Sequence, residues 1–262
     1  MTMYTDERRR SEAGIWQEVE FGSYDADIPL WKELAQAADG PVLELGAGAG
    51  RVTFEICGRY STEGGWNGVE VLAVEHDPDL VAELKPEAQR LGLVVRFIEA
   101  DLEAPETLAV PVKPALAIGP LHVIQMIHPG ARRSLLVRLA ELCAPDAAIA
   151  LTIVDESTLL SSSVGATQIL PDMREFDGWV YSSEPLWVQV GDDALRVRRI
   201  RERVSPEGHM EREIHDEPLH RVSAEELEEE ALAAGIRPAG RRQIRSGPDE
   251  ADSTVVLLEG PG

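Results

Sequence analysis

Short apolar runs recur at regular intervals through the first half of the chain. They are rich in Val, Ile and Leu, do not alternate strictly with polar residues, and lie at 41–45, 69–75, 93–98, 114–118 and 147–154. Runs of this kind are typical of strands that a parallel sheet buries on both faces. We therefore expect these runs to form neighbouring parallel strands of one sheet.

Helix-like segments separate the runs. They lie at about 51–60, 78–91 and 130–143, and an amphipathic segment at 27–38 precedes the first run. Alternation of strand and helix at this spacing predicts an α/β fold in which helices cover both faces of a doubly wound sheet.

The pattern changes after the fifth run. Residues 155–176 are rich in Ser and are expected to form a loop, whereas residues 178–220 alternate polar and apolar side chains. Such alternation predicts an antiparallel meander with one packed face and one solvated face. Ser223 and Glu226 then form a capping box at the start of a helix, which Gly235 ends.

Two final strand candidates, near 236–245 and 254–259, bring the expected sheet to seven mostly parallel strands. We divide the chain into an N-terminal cap or lid, a ligand-binding core, an antiparallel insert that covers the cleft, and a last part that completes the core sheet. The expected ranges of these four parts are 1–40, 41–154, 155–220 and 221–262.

The composition excludes several classes of function. With 25 basic and 47 acidic residues the formal net charge is −22, which disfavours binding to nucleic acid or to an anionic membrane. The two cysteines form no CxxC motif and no cluster with histidines, so neither a disulfide framework nor a metal site is expected. Neither a secretory leader nor a membrane-spanning run is evident, and we expect a cytoplasmic protein.

A glycine-rich turn follows the first apolar run and precedes a helix-like segment. It contains Gly46, Gly48 and Gly50, and the run before it carries the acidic residue Glu44. A turn of this kind lets a ligand approach the backbone at the carboxyl end of a strand. A dinucleotide-binding turn would have its third glycine at the position of Arg51, and a turn without a ligand is the structural alternative.

Candidate ligand-contacting residues also lie at or just after the ends of the next three runs. Glu75 ends the second run, and a carboxylate there can accept both hydroxyl protons of a ribose, although an acidic strand end is also a common helix cap. Asp101 and Leu102 follow the third run, and Gly119 ends the fourth. We expect these residues to line one cleft, because the carboxyl ends of parallel strands meet at one edge of a sheet.

In this order the four signals resemble the class I S-adenosylmethionine-dependent methyltransferases, in particular their bacterial small-molecule branch. The resemblance is clear over about 20–155 and extends to 217–236. It implies a Rossmann-like methyltransferase fold, S-adenosylmethionine as cofactor and a small-molecule substrate. The motifs with which relatives clamp a nucleobase or a protein glutamine, Asn-Pro-Pro-Tyr and Asp-Pro-Pro-Tyr, do not occur here.

The resemblance also implies roles for individual residues. Those implied at the methionine end of the cofactor are Glu44, Gly46, Ala47, Gly48, Gly50 and Gly119. Glu75 is implied at the ribose, Asp101 and Leu102 at the adenine, and Tyr24 as a cover. His76 follows Glu75 and is interpreted as a neighbour of the adenine edge or as an exposed loop residue.

Three residues are candidates for contact with the substrate. His122 is the histidine expected near the transferred methyl group, as a general base or as a polar lining residue. Gln125 is a candidate for orienting the substrate, with a place near the protein surface as the alternative. Trp16 belongs to an aromatic cluster with Phe21 and Tyr24 that forms a lid or docks on the sheet.

We expect methyl transfer to an oxygen or nitrogen of a small molecule. Other chemistry on bound S-adenosylmethionine, such as aminopropyl transfer or ring closure, remains open, as do a cofactor-binding regulator without catalysis and a nicotinamide enzyme. A homodimer is the expected oligomeric state.

Overall fold

The computed structural model describes residues 10–60, 66–159, 171–191, 194–247 and 251–262. The helices and strands, in chain order, are α1 (Glu12–Phe21), α2 (Ile28–Ala37), β1 (Val42–Leu45), α3 (Thr53–Ile56), β2 (Arg59–Tyr60), β3 (Trp66–Asn67), β4 (Val71–Glu75), α4 (Pro78–Arg90), β5 (Val95–Glu99), β6 (Leu116–Gly119), α5 (Val123–Met126), α6 (Pro129–Leu142), β7 (Ala148–Ile153), β8 (Asp172–Phe176), β9 (Trp179–Val190), β10 (Ala194–Val204), β11 (Met210–His220), α7 (Ala224–Ala233), β12 (Arg237–Ile244) and β13 (Ser253–Glu259).

A seven-stranded sheet forms the centre of the fold. Its strand order is β12-β13-β7-β6-β1-β4-β5. The five strands from β7 to β5 are parallel, whereas β13 is antiparallel to both of its neighbours. The predicted doubly wound and mostly parallel sheet is therefore confirmed. Because β13 is antiparallel, its first residues lie at the same edge of the sheet as the carboxyl ends of the parallel strands.

Both faces of this sheet are covered by helices. On one face Leu43 and Leu45 of β1 pack in a core with residues of α6 and α7. On the other face Val42 packs with Trp31 of α2 and Ile56 of α3. Every residue of β1 and β4 is buried, which explains why these strands are apolar apart from Glu44 and Glu75.

A separate antiparallel sheet of four strands has the order β11-β10-β9-β8. The meander expected at 178–220 corresponds to β9, β10 and β11. The expectation of a loop throughout 155–176 was wrong at both ends, because residues 156–159 are helical and β8 pairs with β9. Residues 160–170 of this expected loop lie outside the described part of the chain. Between Arg198 and Arg199 the pairing of β10 with β9 shifts by one residue, which leaves Leu186 of β9 without a partner on β10.

Two local predictions need correction. The helix expected at 51–60 is limited to α3, because the backbone at Cys57 pairs with Val69 and then continues into the hairpin of β2 and β3. In the N-terminal segment the helix predicted at 27–38 is confirmed as α2, and a further helix that was not predicted, α1, precedes it. The Ser11 hydroxyl caps this helix by accepting a hydrogen bond of 3.0 Å from the Gly14 backbone N–H.

The helix α7 begins at the predicted capping box. The Ser223 hydroxyl accepts from the Glu226 backbone N–H at 3.2 Å, and the Glu226 carboxylate accepts from the Ser223 backbone N–H at 2.8 Å. Glu230 of α7 then accepts hydrogen bonds of 2.8 and 3.0 Å from Arg132 of α6, whose side chain is 3% exposed. This ion pair joins the final helix to the face of the core sheet.

No helix in the described part of the chain is long and apolar enough to cross a membrane. The same residues contain no group of three or more His, Cys, Asp or Glu side chains that could hold a metal ion.

Replacement of Glu230 by Ala should lower the free energy of unfolding by about 3 kcal/mol, because it leaves the buried Arg132 guanidinium without its carboxylate. Urea unfolding of the purified variant measures this loss. Glu229→Ala on the exposed side of the same helix is the matched control and should change the value by less than about 0.5 kcal/mol. Equal effects of the two substitutions would contradict a stabilising role of the ion pair.

Candidate functional site

The glycine turn lies between β1 and α3 at the carboxyl edge of the parallel strands. Gly46, Gly48 and Gly50 have backbone φ angles of +67°, +55° and +83°, which residues other than glycine rarely adopt. A Cβ atom at Gly46 would lie 2.8 Å from Val123 Cγ2, and one at Gly48 would lie 2.2 Å from Gln17 Oε1. The turn therefore needs glycine for its conformation and for the close approach of other atoms.

Gln17 of α1 contacts this turn directly. Its Oε1 accepts a hydrogen bond of 2.6 Å from the Ala49 backbone N–H. The sequence analysis did not single out Gln17, because a contact between residues 32 positions apart has no local signal. The contact shows that the turn offers a backbone donor to an acceptor atom that approaches from the side of α1.

Glu75 anchors the other side of the turn from the end of β4. Its carboxylate accepts hydrogen bonds from the backbone N–H groups of Gly48 at 2.8 Å, His76 at 2.8 Å and Asp77 at 3.0 Å. The Glu75 side chain is buried, whereas that of His76 is exposed and has its Nδ1 3.0 Å from Glu75 Oε1. Glu75 thus brings a carboxylate to the turn at the predicted place.

Glu44 lies beneath the turn rather than in the open cleft. Its carboxyl group is fully buried and accepts a hydrogen bond from the Thr53 hydroxyl of α3. Burial raises the pKa of Glu44 to about 8, although the Thr53 hydroxyl and the charge of Arg51 act in the opposite direction. The carboxyl group is therefore mostly protonated at pH 7. Ala47 in the turn is buried as well.

A buried ion pair fixes the segment before α2 to the turn. Arg51 Nη1 and Nη2 donate to the two carboxylate oxygens of Asp27 at 2.6 and 2.7 Å, and Trp31 Nε1 donates to Asp27 at 2.8 Å. The Arg51 guanidinium also lies 5.2 Å from the centre of the Tyr24 ring and donates to the Tyr24 carbonyl at 2.9 Å. These contacts place Tyr24 beside the turn.

Asp101 and Leu102 follow β5 at the same edge of the sheet. The Asp101 side chain is exposed, and its Oδ1 accepts a hydrogen bond of 2.8 Å from the Glu103 backbone N–H. Leu102 is buried in the apolar core on the α6 side of the sheet. The two residues therefore combine an accessible carboxylate with an apolar side chain.

The chain is strained directly after Gly119 at the end of β6. Leu121 and His122 have φ angles of +46° and +60°, a conformation that costs of order 1–3 kcal/mol for each non-glycine residue and that clusters at functional sites. His122 Nε2 is 2.8 Å from the hydroxyl of Ser253, at the start of β13. Burial lowers the pKa of His122 to about 4, so its imidazole is neutral at pH 7.

Gln125 has a structural contact in the short helix α5. Its Nε2 donates to the Val154 carbonyl at 3.1 Å, and its Oε1 accepts from the Val154 backbone N–H at 2.8 Å. These two bonds tie α5 to the chain that leaves β7. The Gln125 side chain is 2% exposed, so it is buried and does not lie at the surface.

Trp16 faces the antiparallel sheet from α1. It is buried, and its ring centre lies 5.4 Å from that of Tyr181 in an edge-to-face arrangement. The guanidinium of Arg201 lies 5.1 Å from the centre of the Trp16 ring. Because the next residue, Gln17, contacts the glycine turn, α1 connects the antiparallel sheet to the turn.

The structure thus brings most of the predicted site residues to one edge of the sheet. That edge follows the ends of β5, β4, β1 and β6 and carries a buried carboxylate at Glu75 and a neutral imidazole at His122. Residues that the sequence analysis missed complete the arrangement, namely Gln17, Asp27, Arg51 and Ser253.

Comparison with known proteins gives a clear result for the fold. Neither a family model nor a curated protein sequence matches the chain. An S-adenosylmethionine-dependent methyltransferase from Clostridium acetobutylicum has a similar solved structure, with a TM-score of 0.69, 15% identity and coverage of 95% of this chain and 98% of that one.

Two further solved structures are also similar. The sugar N-methyltransferase KedS8 from a Streptoalloteichus species has a TM-score of 0.69 at 12% identity, covering 100% of this chain and 97% of that one. The CcbJ methyltransferase from Streptomyces caelestis has a TM-score of 0.62 at 18% identity, covering 90% and 89%. The chain therefore has the Rossmann-like fold of these methyltransferases over nearly its whole length.

Proposed function

We propose that the chain is an S-adenosylmethionine-dependent methyltransferase that acts on an oxygen or nitrogen of a small molecule. The observation that carries this proposal is the glycine turn anchored by the buried Glu75 at the carboxyl edge of a sheet with the methyltransferase strand order. Open α/β sheets bind their ligands at this edge. The shared fold supports the same class of activity.

The residues present fit S-adenosylmethionine. The Ala49 backbone N–H, which donates to Gln17 Oε1, would be available as a donor to an oxygen of the cofactor. Glu75 would hold the ribose, Asp101 with Leu102 the adenine, and Gly119 the methionine backbone. Tyr24 would cover the cofactor, and Gly46, Gly48 and Gly50 would let it reach the main chain. When bound, the cofactor supplies a methyl group on a sulfonium, which is already a strong electrophile.

The protein's own contribution is positioning and exclusion of water. We assign His122 to the acceptor's reacting atom, because it ends the strained segment after Gly119 and is held by Ser253. Its neutral imidazole can accept a hydrogen bond from the substrate that receives the methyl group. With a pKa of about 4 it is too weak a base to remove the proton of an alcohol efficiently, which favours a reacting atom that attacks without prior deprotonation, such as the nitrogen of a neutral amine.

The expected small-molecule acceptor has support from proteins of similar structure. Besides KedS8, these include a glycopeptide N-methyltransferase, MtfA, crystallised with S-adenosylhomocysteine. A methyltransferase from Burkholderia thailandensis was crystallised with 1,6-didemethyltoxoflavin and S-adenosylhomocysteine. A cytoplasmic location, a homodimer and the absence of nucleic-acid binding stay predictions from the sequence.

Titration with S-adenosylhomocysteine and with NAD tests the identity of the cofactor. We expect S-adenosylhomocysteine to bind and NAD not to bind, as measured by isothermal titration calorimetry. Tight NAD binding without binding of S-adenosylhomocysteine would overturn the proposed function. With an acceptor in hand, a product heavier by one methylene distinguishes methyl transfer from other chemistry on the same cofactor and from a regulator that turns nothing over.

Replacement of Glu75 by Ala should weaken the binding of S-adenosylhomocysteine by about 1.5–3 kcal/mol, the usual cost of lost hydrogen bonds to a charged group. Glu99→Ala is the matched control, because Glu99 lies directly opposite Glu75 on β5 and is exposed. Circular dichroism checks that both variants are folded. Unchanged affinity in a folded Glu75 variant would show that the ribose assignment is wrong.

The lowered pKa of His122 predicts a specific pH dependence of stability. Between pH 7 and pH 5 the unfolded chain gains a proton on this residue and the folded chain does not, so the free energy of unfolding falls as the pH falls. The expected contribution is roughly 2 kcal/mol. His122→Asn should remove it in urea unfolding at the two pH values, whereas the exposed His209→Asn should not. The same loss in all three proteins would contradict the assignment.

A further inference from the structure

Glu217 of β11 stands out among the residues that the proposed function has not used. It shares one face of the antiparallel sheet with Leu219, because side chains two positions apart on a strand point the same way. Leu219 is buried in a cluster with Leu195 and with Val154, the residue that directly follows β7. Glu217 therefore lies on the same face of the antiparallel sheet as a cluster that reaches Val154, at the carboxyl edge of the core sheet.

The short helix α5 strengthens this placement. It begins directly after His122 and packs against β11. His128, just beyond α5, also contacts His220 at the end of β11, with ring centres 5.3 Å apart. The strand that carries Glu217 thus borders the segment to which we assign the reacting atom of the acceptor.

The Glu217 carboxylate has no hydrogen bond or ion pair within the described part of the chain, although it is partly buried. The charged groups that face it are Glu20 of α1, Arg199 and Arg201 of β10 and His215 of β11. Burial raises the pKa of Glu217, and the charge of Glu20 raises it further, against the lowering effect of the two arginines.

Both of these arginines are already engaged by other groups. Arg201 donates to the two carboxylate oxygens of Glu20 at 2.7 and 2.8 Å. Arg199 donates to the Ser183 hydroxyl at 2.8 Å and to the Asp172 carboxylate at 2.7 Å. Within the described part of the chain, neither arginine donates a hydrogen bond to Glu217. A partly buried carboxylate without a partner is costly, and such groups are concentrated at functional sites.

We propose that Glu217 is a specificity-determining residue that receives a protonated nitrogen of the acceptor, distinct from the neutral atom that is methylated, so that the substrate class is a cationic amine. An ammonium group supplies both the hydrogen-bond donors and the positive charge that this carboxylate lacks, whereas a hydroxyl supplies only a donor. This inference rests on the proposed function, since it concerns the acceptor side of the same cleft.

Binding of matched amines and alcohols tests the proposal without knowledge of the natural acceptor. The protein is first saturated with S-adenosylhomocysteine. The probes are benzylamine with benzyl alcohol, tyramine with 4-(2-hydroxyethyl)phenol, and glucosamine with glucose, each followed by ligand-detected nuclear magnetic resonance. We expect at least one amine to bind ten-fold or more tightly than its alcohol.

Glu217→Gln should abolish this preference, because the amide has nearly the same shape but no charge. Glu213→Gln is the matched control on the same face of β11, since Glu213 is exposed and its nearest cation, Arg201 Nη1, is 3.9 Å away. It should keep the preference. The melting temperature of the Glu217 variant should not fall, whereas loss of a structural carboxylate would lower it.

The outcomes separate the two proposals. Absence of S-adenosylhomocysteine binding would overturn the proposed function itself. If S-adenosylhomocysteine binds but no pair shows a preference for the amine, or if the preference survives in Glu217→Gln, the role of Glu217 is wrong and the methyltransferase proposal is unaffected.

Discussion

The hydrogen bond from the glycine turn to the Glu75 carboxylate is the constraint on which the site depends. A turn with three residues at positive φ has many alternative conformations when unfolded, and the buried carboxylate selects one by accepting the Gly48 N–H together with two N–H groups of its own loop. The ends of β1 and β4 are thereby held in a fixed relation. The shape of the proposed cofactor site therefore depends on this contact between the ends of the neighbouring strands β1 and β4.

Helix α1 extends the same constraint to the antiparallel sheet. It contacts the turn through Gln17, the sheet through Glu20, and α4 through the hydrogen bond of 2.9 Å between Ser11 and Glu83. One short helix therefore touches the proposed cofactor side and the proposed acceptor side of the cleft. Gln17 and Glu20, which make these two contacts, are three positions apart and lie on the same face of α1.

The sequence predicted the parts of the structure that depend on local pattern. The core strands could be predicted because burial on both faces makes them almost continuously apolar. The position of Glu75 at a strand end could be predicted because it ends such a run. Gln17, Asp27 and Ser253 were missed because their contacts join distant segments, and nothing near them in the chain marks their partners. The strand β8 was missed because its five residues are mostly charged and follow a Ser-rich segment.

The single extra residue in β9 has a consequence for how this fold tolerates change. Leu186 shifts the phase of the strand, so that Ser183 and Tyr181 point to the packed face together with Val188. Deletion of one residue here would turn Ser183 away from Glu20 and Tyr181 away from Trp16 without altering either side chain. The number of residues in β9 between Tyr181 and Val188 is therefore constrained, in addition to their identities. Related chains of different sequence should keep this number.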